Sequence, residues 1–265
     1  MPRRLGQHFL RAASVEKLLR LIAPAPDDVF LEIGPGAGAL TLPLARRAAR
    51  VVAVEIDGRL ADSLAASAPG NVQVVRADAL AVELEGLVPA GSRLVGNLPY
   101  YVSSPLMRRF LALRAHVRDL NVMLQEEVAR RIASPPGSKE YGILSVLYGL
   151  TADVEIAGRF PPGSFAPPPK VGSAALRARF LVAPRFPVTD LSAFESFLHK
   201  AFARRRRTLE NNLQDSYANL KDYLRFLNLQ GSMRAEALSV VDLARLWAVL
   251  SSGGHEERES GAEPG

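Results

Sequence analysis

The chain has 265 residues, 48% apolar and 23% charged, with 33 Lys and Arg against 27 Asp and Glu for a net charge of +6. That is a globular composition rather than a disordered one, long enough for one large domain and a smaller one. There is no cysteine, which excludes disulfides, Cys-ligated zinc, iron–sulfur clusters and thiol nucleophiles. The four His, at 8, 116, 199 and 255, are too scattered to suggest a metal site. The longest run free of charge, 94–107, has 14 residues and two Pro, short of a bilayer span. The segment MPRRLGQHFL has no apolar core of signal-peptide length. The expectation is a cytoplasmic protein with no metal and no membrane partner.

In chain order, VFLEI (29–33) reads as a buried strand, followed by a glycine-rich turn and a helix over 38–48. VVAVEI (51–56) is a second strand, with a helix from Asp57 to about Ala66. VQVV (72–75), RLVG (93–96) and LNVML (120–124) continue the series. Strands alternating with helices predict crossover units, hence a Rossmann-like α/β sheet, mostly parallel, with helices on both faces. Helical patterns at 126–133 and 141–150 and strands at 153–157 and 174–180 complete it. Between those strands, RFPPGSFAPPPKVGS (159–173) is stiffened by proline into an extended surface loop. From about 183 the pattern turns helical, at 190–203, 206–213, 216–227 and 239–250. The expected domains are 1–182 and a small helical domain, 183–250, with 251–265 as a disordered tail.

Two stretches carry chemistry. In LEIGPGAGALT (31–41), Gly34, Gly36 and Gly38 lie between a strand and a helix, where backbone N–H groups can approach a ligand. Glu32 precedes them, Glu55 ends the second strand and Asp78 follows the third, all at carboxyl ends of strands, where open α/β sheets bind ligands. A carboxylate at 55 suits ribose hydroxyls and one at 78 an adenine amine, which fits either NAD or S-adenosylmethionine. The plain alternative is that both acids only cap turns.

NLPYY (97–101), after the fourth strand, favours methyl transfer. The lone pair of an exocyclic adenine amine is delocalised into the ring. Asn97 Oδ1 and the Leu98 carbonyl can accept its two hydrogens and pull the nitrogen towards a tetrahedral nucleophile. Pro99 stiffens the turn, and Tyr100 offers a face for stacking the base.

These motifs resemble the ribosomal RNA small-subunit adenine dimethyltransferases, class I S-adenosylmethionine-dependent enzymes. The resemblance runs from Leu5 to about Leu250, through GQHFL (6–10), EIGPGAGALT (32–41), VEID (54–57), ADAL (77–80), NLPYYVSSPL (97–106), MLQEEVARRI (123–132), SKEYGILSV (138–146) and FAPPPKVGSA (165–174). It implies dimethylation at N6 of two adjacent adenosines in the 3′-terminal hairpin of 16S rRNA, within an immature small subunit, by a monomer. It places S-adenosylmethionine against His8, Leu10, Gly34, Glu55, Asp78 and Asn97, with Gly36 and Gly38 completing the loop. It implies that Phe165 stacks on the flipped adenine opposite Tyr100, with Lys170 and Ser173 steadying the loop or the RNA. Position 8 is Asn in many relatives and His here; position 101 is usually Asn and here is Tyr, a change in the pocket wall.

Only five basic residues are Lys, so Arg dominates; its planar fork suits phosphate, although a GC-rich genome would give the same bias. Residues 179–250 hold a net +4 in 72 positions, while 1–178 hold +5 in 178, so the basic excess is denser in the helical part. The run Arg204, Arg205, Arg206 and Arg207 lies there and is expected to track RNA phosphates. Three other readings compete: a large-subunit rRNA methyltransferase of the macrolide-resistance type, which carries NIPY rather than NLPY; an assembly checkpoint acting by binding; and an NAD enzyme.

Overall fold

Runs of β-branched and apolar residues that are buried along nearly their whole length set the centre of this molecule, a computed structural model that describes residues 8–259 and the side chains of 8–252. In chain order its elements are β1 (Phe9–Leu10), α1 (Ala12–Ile22), β2 (Val29–Ile33), α2 (Thr41–Ala45), β3 (Arg50–Glu55), α3 (Gly58–Ser67), β4 (Val72–Arg76), β5 (Ser92–Asn97), α4 (Ser103–Ala112), β6 (Val117–Gln125), α5 (Glu126–Ile132), α6 (Ile143–Thr151), β7 (Ala152–Phe160), β8 (Phe165–Ala166) and β9 (Ser173–Phe180). The chain then runs through α7 (Leu191–Ala201), α8 (Leu209–Leu213), α9 (Leu220–Phe226) and α10 (Val240–Glu259).

Seven strands form one sheet in the order β4-β3-β2-β5-β6-β9-β7. The pairs from β4 to β6 are parallel and β9 runs antiparallel to β6. Continuous burial of FLEI (30–33) and VVAVE (51–55) follows from helices covering both faces, as parallel sheets require. The strand order reverses between β2 and β5, so the crossovers diverge there and leave a crevice at the carboxyl ends. Helix α1 buries Val15, Leu18, Leu19 and Ile22, the i, i+3, i+4, i+7 stripe of an amphipathic helix.

The molecule divides into two compact units, 1–133 with 153–180, and 134–152 with 181–265. The segment 134–152, assigned from the sequence to the first domain, thus belongs with the helical part. Its helix α6 is buried on almost every side and packs against α7 and α10. A Cβ on Gly149 would stand 3.1 Å from Val240 Cγ2, so this helix is closely fitted to α10. In the same unit the Phe194 and Trp247 rings meet edge-on at 5.6 Å.

Three local expectations change. The helix anticipated over 38–48 shortens to α2, because Gly38 adopts φ +83° and delays helical geometry. The helix anticipated at 206 begins at Leu209, where the Thr208 side chain accepts from Asn211 N–H at 3.2 Å and caps it. The proline-rich loop contains β8, which pairs antiparallel with β1. At the other end, α10 continues to Glu259, and 260–265 of the expected tail lie outside the described residues, as do Gly6 and Gln7 of the GQHFL motif.

Candidate active site

The reversal in strand order opens onto a cavity of about 250 Å3 whose walls come from the segments after β2, β3, β4 and β5 and from β1. Of the residues expected at the cofactor, His8, Leu10, Gly34, Gly36, Glu55, Asp78 and Asn97 all line it. Leu98, Pro99 and Tyr100 line it too. The parallel register puts Ile33 beside Val54 and Gly96 and so closes sequence separations of 21 and 63 residues, and the Asn97 side chain reaches the His8 carbonyl across 89.

The glycine turn fits this place for steric reasons. Gly34, Gly36 and Gly38 all have positive φ, at +70°, +58° and +83°. A Cβ at Gly36 would lie 3.0 Å from the Phe9 ring, so a side chain would both strain the turn and crowd the cavity wall. Gly38 corrects the sequence expectation: it does not line the cavity, and a Cβ there would fall 2.6 Å from Leu64 of α3. It serves the packing of the turn rather than ligand contact.

Glu55 is buried yet bonded. Its Oε2 accepts Gly36 N–H and its Oε1 accepts Asp57 N–H, each at 2.9 Å, which fixes the carboxylate between the glycine turn and α3. Each oxygen keeps further acceptor capacity towards the cavity. Asp78 Oδ1 accepts Leu80 N–H at 2.9 Å, so this acid orders its own turn as well as lining the cavity. The cap of α3 is neither of these two; it is Asp57, which accepts from Arg59 and Leu60.

Glu32 is the most perturbed group of the site. Burial, helped by the neighbouring Glu55 charge, pushes its carboxyl up to about 7. Thr41 opposes this in part without reaching full hydrogen-bond geometry, and neither Glu32 Oε2 nor Thr41 Oγ1 has a partner among the described residues. An orphan carboxyl oxygen on a cavity wall is a position for a cationic or hydrogen-donating ligand group.

Asn97 ends β5 with its amide already oriented. Nδ2 donates to the His8 carbonyl at 2.8 Å, so Oδ1 is the atom left for a ligand, and no described residue donates to it. Leu98 N–H is tied to the Met123 carbonyl at 3.2 Å, anchoring the turn to β6. Tyr100 is held on two sides: its Oη shares a hydrogen bond with Ser173 Oγ at 2.8 Å, and its ring lies 5.6 Å from that of His8. His8 Nδ1 is in turn 2.8 Å from the Pro167 carbonyl. The sequence assigned Ser173 to the loop or the RNA; its part in fixing Tyr100 needed the fold, because 73 residues separate the two.

Phe165 is a correction. It is fully buried in the core with Val15, Leu18, Leu19 and Phe160, and it does not line the cavity. Pairing of β8 with β1 sets Phe165 opposite Leu10 and turns its ring inward, so it anchors the proline-rich loop. Lys170 in that loop is exposed. In the other unit, Arg204–Arg207 form an exposed turn instead of a helix face. Arg205 is committed structurally, pairing with Glu236 at 2.9 Å and donating to the Lys139 carbonyl at 2.7 Å. Arg204, Arg206 and Arg207 have no side-chain partner among the described residues. No described helix is long and apolar enough to cross a membrane.

The model of the ribosomal RNA adenine dimethylase family matches residues 2–251. The chain belongs to that family. It is 43% identical over 256 residues to ribosomal RNA small subunit methyltransferase A of Bordetella petrii, covering 95% of this chain and 96% of that one. To the protein of the same name from Dichelobacter nodosus it is 39% identical over 247 residues, covering 92% and 93%. A crystal structure of a dimethyladenosine transferase from Plasmodium falciparum shares the fold with a TM-score of 0.78 at 24% identity, covering 93% and 98%. That of 23S rRNA methyltransferase ErmE superposes with a TM-score of 0.70 at 27% identity, covering 92% and 99%.

Proposed function

We propose that this protein is an S-adenosylmethionine-dependent RNA methyltransferase that dimethylates N6 of two adjacent adenosines in the 3′-terminal hairpin of 16S rRNA, acting as a cytoplasmic monomer on the immature small subunit. One observation carries the chemistry: the amide of Asn97 is locked by His8 so that Oδ1, beside the Leu98 and Tyr100 wall, remains an acceptor. The donor set suits the cofactor. Glu55 and Asp78 offer acceptors for ribose hydroxyls and the adenine amine, the glycine turn admits a backbone-close tail, and the orphan Glu32 oxygen suits its ammonium end. When bound, S-adenosylmethionine supplies an electrophilic methyl group.

The chain's own residues prepare the nucleophile. Asn97 Oδ1 and the Leu98 carbonyl accept the two N6 hydrogens, draw the lone pair out of conjugation and favour a tetrahedral nitrogen. Tyr100, immobilised by Ser173 and His8, gives the extruded base a face, offsetting an unstacking cost of a few kcal/mol. No strong base is required, since the aminium formed loses its proton readily. Small-subunit rRNA is favoured over large-subunit rRNA by relatives of that name at 39–43% identity, against 27% for ErmE.

The test is tritiated methyl transfer onto unmethylated small and large subunits, followed by nucleoside analysis. Dimethyladenosine on the small subunit alone is expected. Label on the large subunit would overturn the substrate, and near-normal transfer by Asn97→Ala would overturn the polarisation mechanism.

A further inference from the structure

Large apolar side chains left exposed mark a surface that something else covers when they cluster. Ile56, Leu80 and Tyr101 are 54%, 39% and 60% exposed, and all three line the same cavity. They come from three separate chain segments, following β3, β4 and β5, so no local sequence pattern groups them. Tyr101 has a further tie to this place. Partial burial, followed by the negative charges of Asp78 and Glu55, raises its phenol above the ordinary value, so the ring is neutral and lies within electrostatic reach of both carboxylates. No described residue hydrogen-bonds its hydroxyl. Unlike Tyr100, which Ser173 and His8 hold, Tyr101 is left free to meet a ligand.

We propose that Tyr101 is an affinity-determining residue for the adenosine end of the cofactor, its ring forming, with Ile56 and Leu80, the apolar wall that covers the nucleoside held by Glu55 and Asp78. This rests on the cofactor assignment above. The arrangement is complementary: the carboxylates take the polar edges of a ribose and a purine, and an aromatic face takes the flat surface left over. It separates the two tyrosines of NLPYY, with Tyr100 serving the target base and Tyr101 the cofactor.

Calorimetric titration of the full chain with S-adenosylmethionine, S-adenosylhomocysteine and 5′-methylthioadenosine tests this. In Tyr101→Ala and Tyr101→Asn, affinity for all three is expected to fall by roughly tenfold or more, as loss of an aromatic stacking partner does. Tyr101→Phe, which keeps the face, should stay within about twofold of the native chain. An equal loss for methylthioadenosine, which lacks the amino-acid tail, locates the contact at the nucleoside. Native-like affinity in both Ala and Asn variants, with unchanged circular dichroism, would overturn the role of Tyr101 while leaving the cofactor assignment standing. Failure of the native chain to bind any of the three would overturn both.

Discussion

At the amino ends of the strands, Arg93 donates from Nη1 to Asp28 at 2.8 Å and to the Ala23 carbonyl at 3.2 Å, from Nη2 to the Ile22 carbonyl at 2.7 Å, and from Nε to Asp119 at 3.0 Å, with Nη2 also in an ion pair with Asp119 at 2.9 Å. Arg118 pairs with the other oxygen of Asp28, and Arg177 bonds Asn121, Glu155 and the Leu21 carbonyl. At the carboxyl ends of the same sheet, Glu32 keeps an orphan oxygen, Asn97 keeps Oδ1 unclaimed, and Tyr101 stands exposed. Both rims bury charge, but one satisfies it internally and the other leaves capacity for a ligand. A saturated network is a structural device, whereas unsatisfied polar atoms on a cavity wall are where function is held.

Breaking the saturated rim should cost the most. Arg93→Met removes the cation between Asp28 and Asp119, leaving Asp28 only Arg118 and the Ala25 amide, and about 3–5 kcal/mol of stability should be lost, read by denaturant unfolding. Activity per folded molecule should change little. The pH dependence has a definite sign. Burial alone would raise Asp28, but the Ala25 amide and the Arg93 and Arg118 charges outweigh it and hold it below 3.8. Its contribution is therefore present above about pH 4 and lost as pH falls further.

On the open rim, Asn97→Ala should leave the melting temperature nearly unchanged and slow single-turnover methyl transfer by about 10²–10³-fold, the range for removing one preorganised polar contact to the reacting centre. Cofactor affinity, measured separately by calorimetry, should fall far less than the transfer rate. Glu32 gives the next effect, opposite in sign to Asp28. Its carboxyl is raised to about 7, so its stabilising contribution is full below the unfolded value of 4.5 and is lost as pH rises through 7. Glu32→Gln should therefore gain on the native chain between pH 4.5 and 8, by up to about 3 kcal/mol, in unfolding curves without ligand.

The smallest effect belongs to the exposed arginines. Replacing Arg206 by Ala should leave stability unchanged and reduce the slope of log affinity for rRNA against log salt by about 0.7–0.9, the value of one phosphate contact. Arg205→Ala should instead loosen the helical unit, because that guanidinium holds Glu236 and the Lys139 carbonyl.

Residue pattern alone specifies the strand series, the glycine turn and the acids at strand ends, because burial on both faces demands unbroken apolar runs and a ligand at strand ends demands residues placed just there. It also contained the family resemblance, carried by eight motifs in order. Other features depended on contacts between distant segments, which periodicity does not encode. Phe165 looks the same in sequence whether it faces a base or the core; pairing of β8 with β1 decided for the core. Residues 134–152 lie in sequence between sheet strands β6 and β7, but α6 is apolar on nearly every side and is buried among helices. The orientation of the Asn97 amide, the hold of Ser173 on Tyr100 and the meeting of Ile56, Leu80 and Tyr101 each join chain segments that only the tertiary structure brings within reach. Local chemistry fixes which residue types can occupy a strand end, and packing over long separations decides which of their atoms remain available.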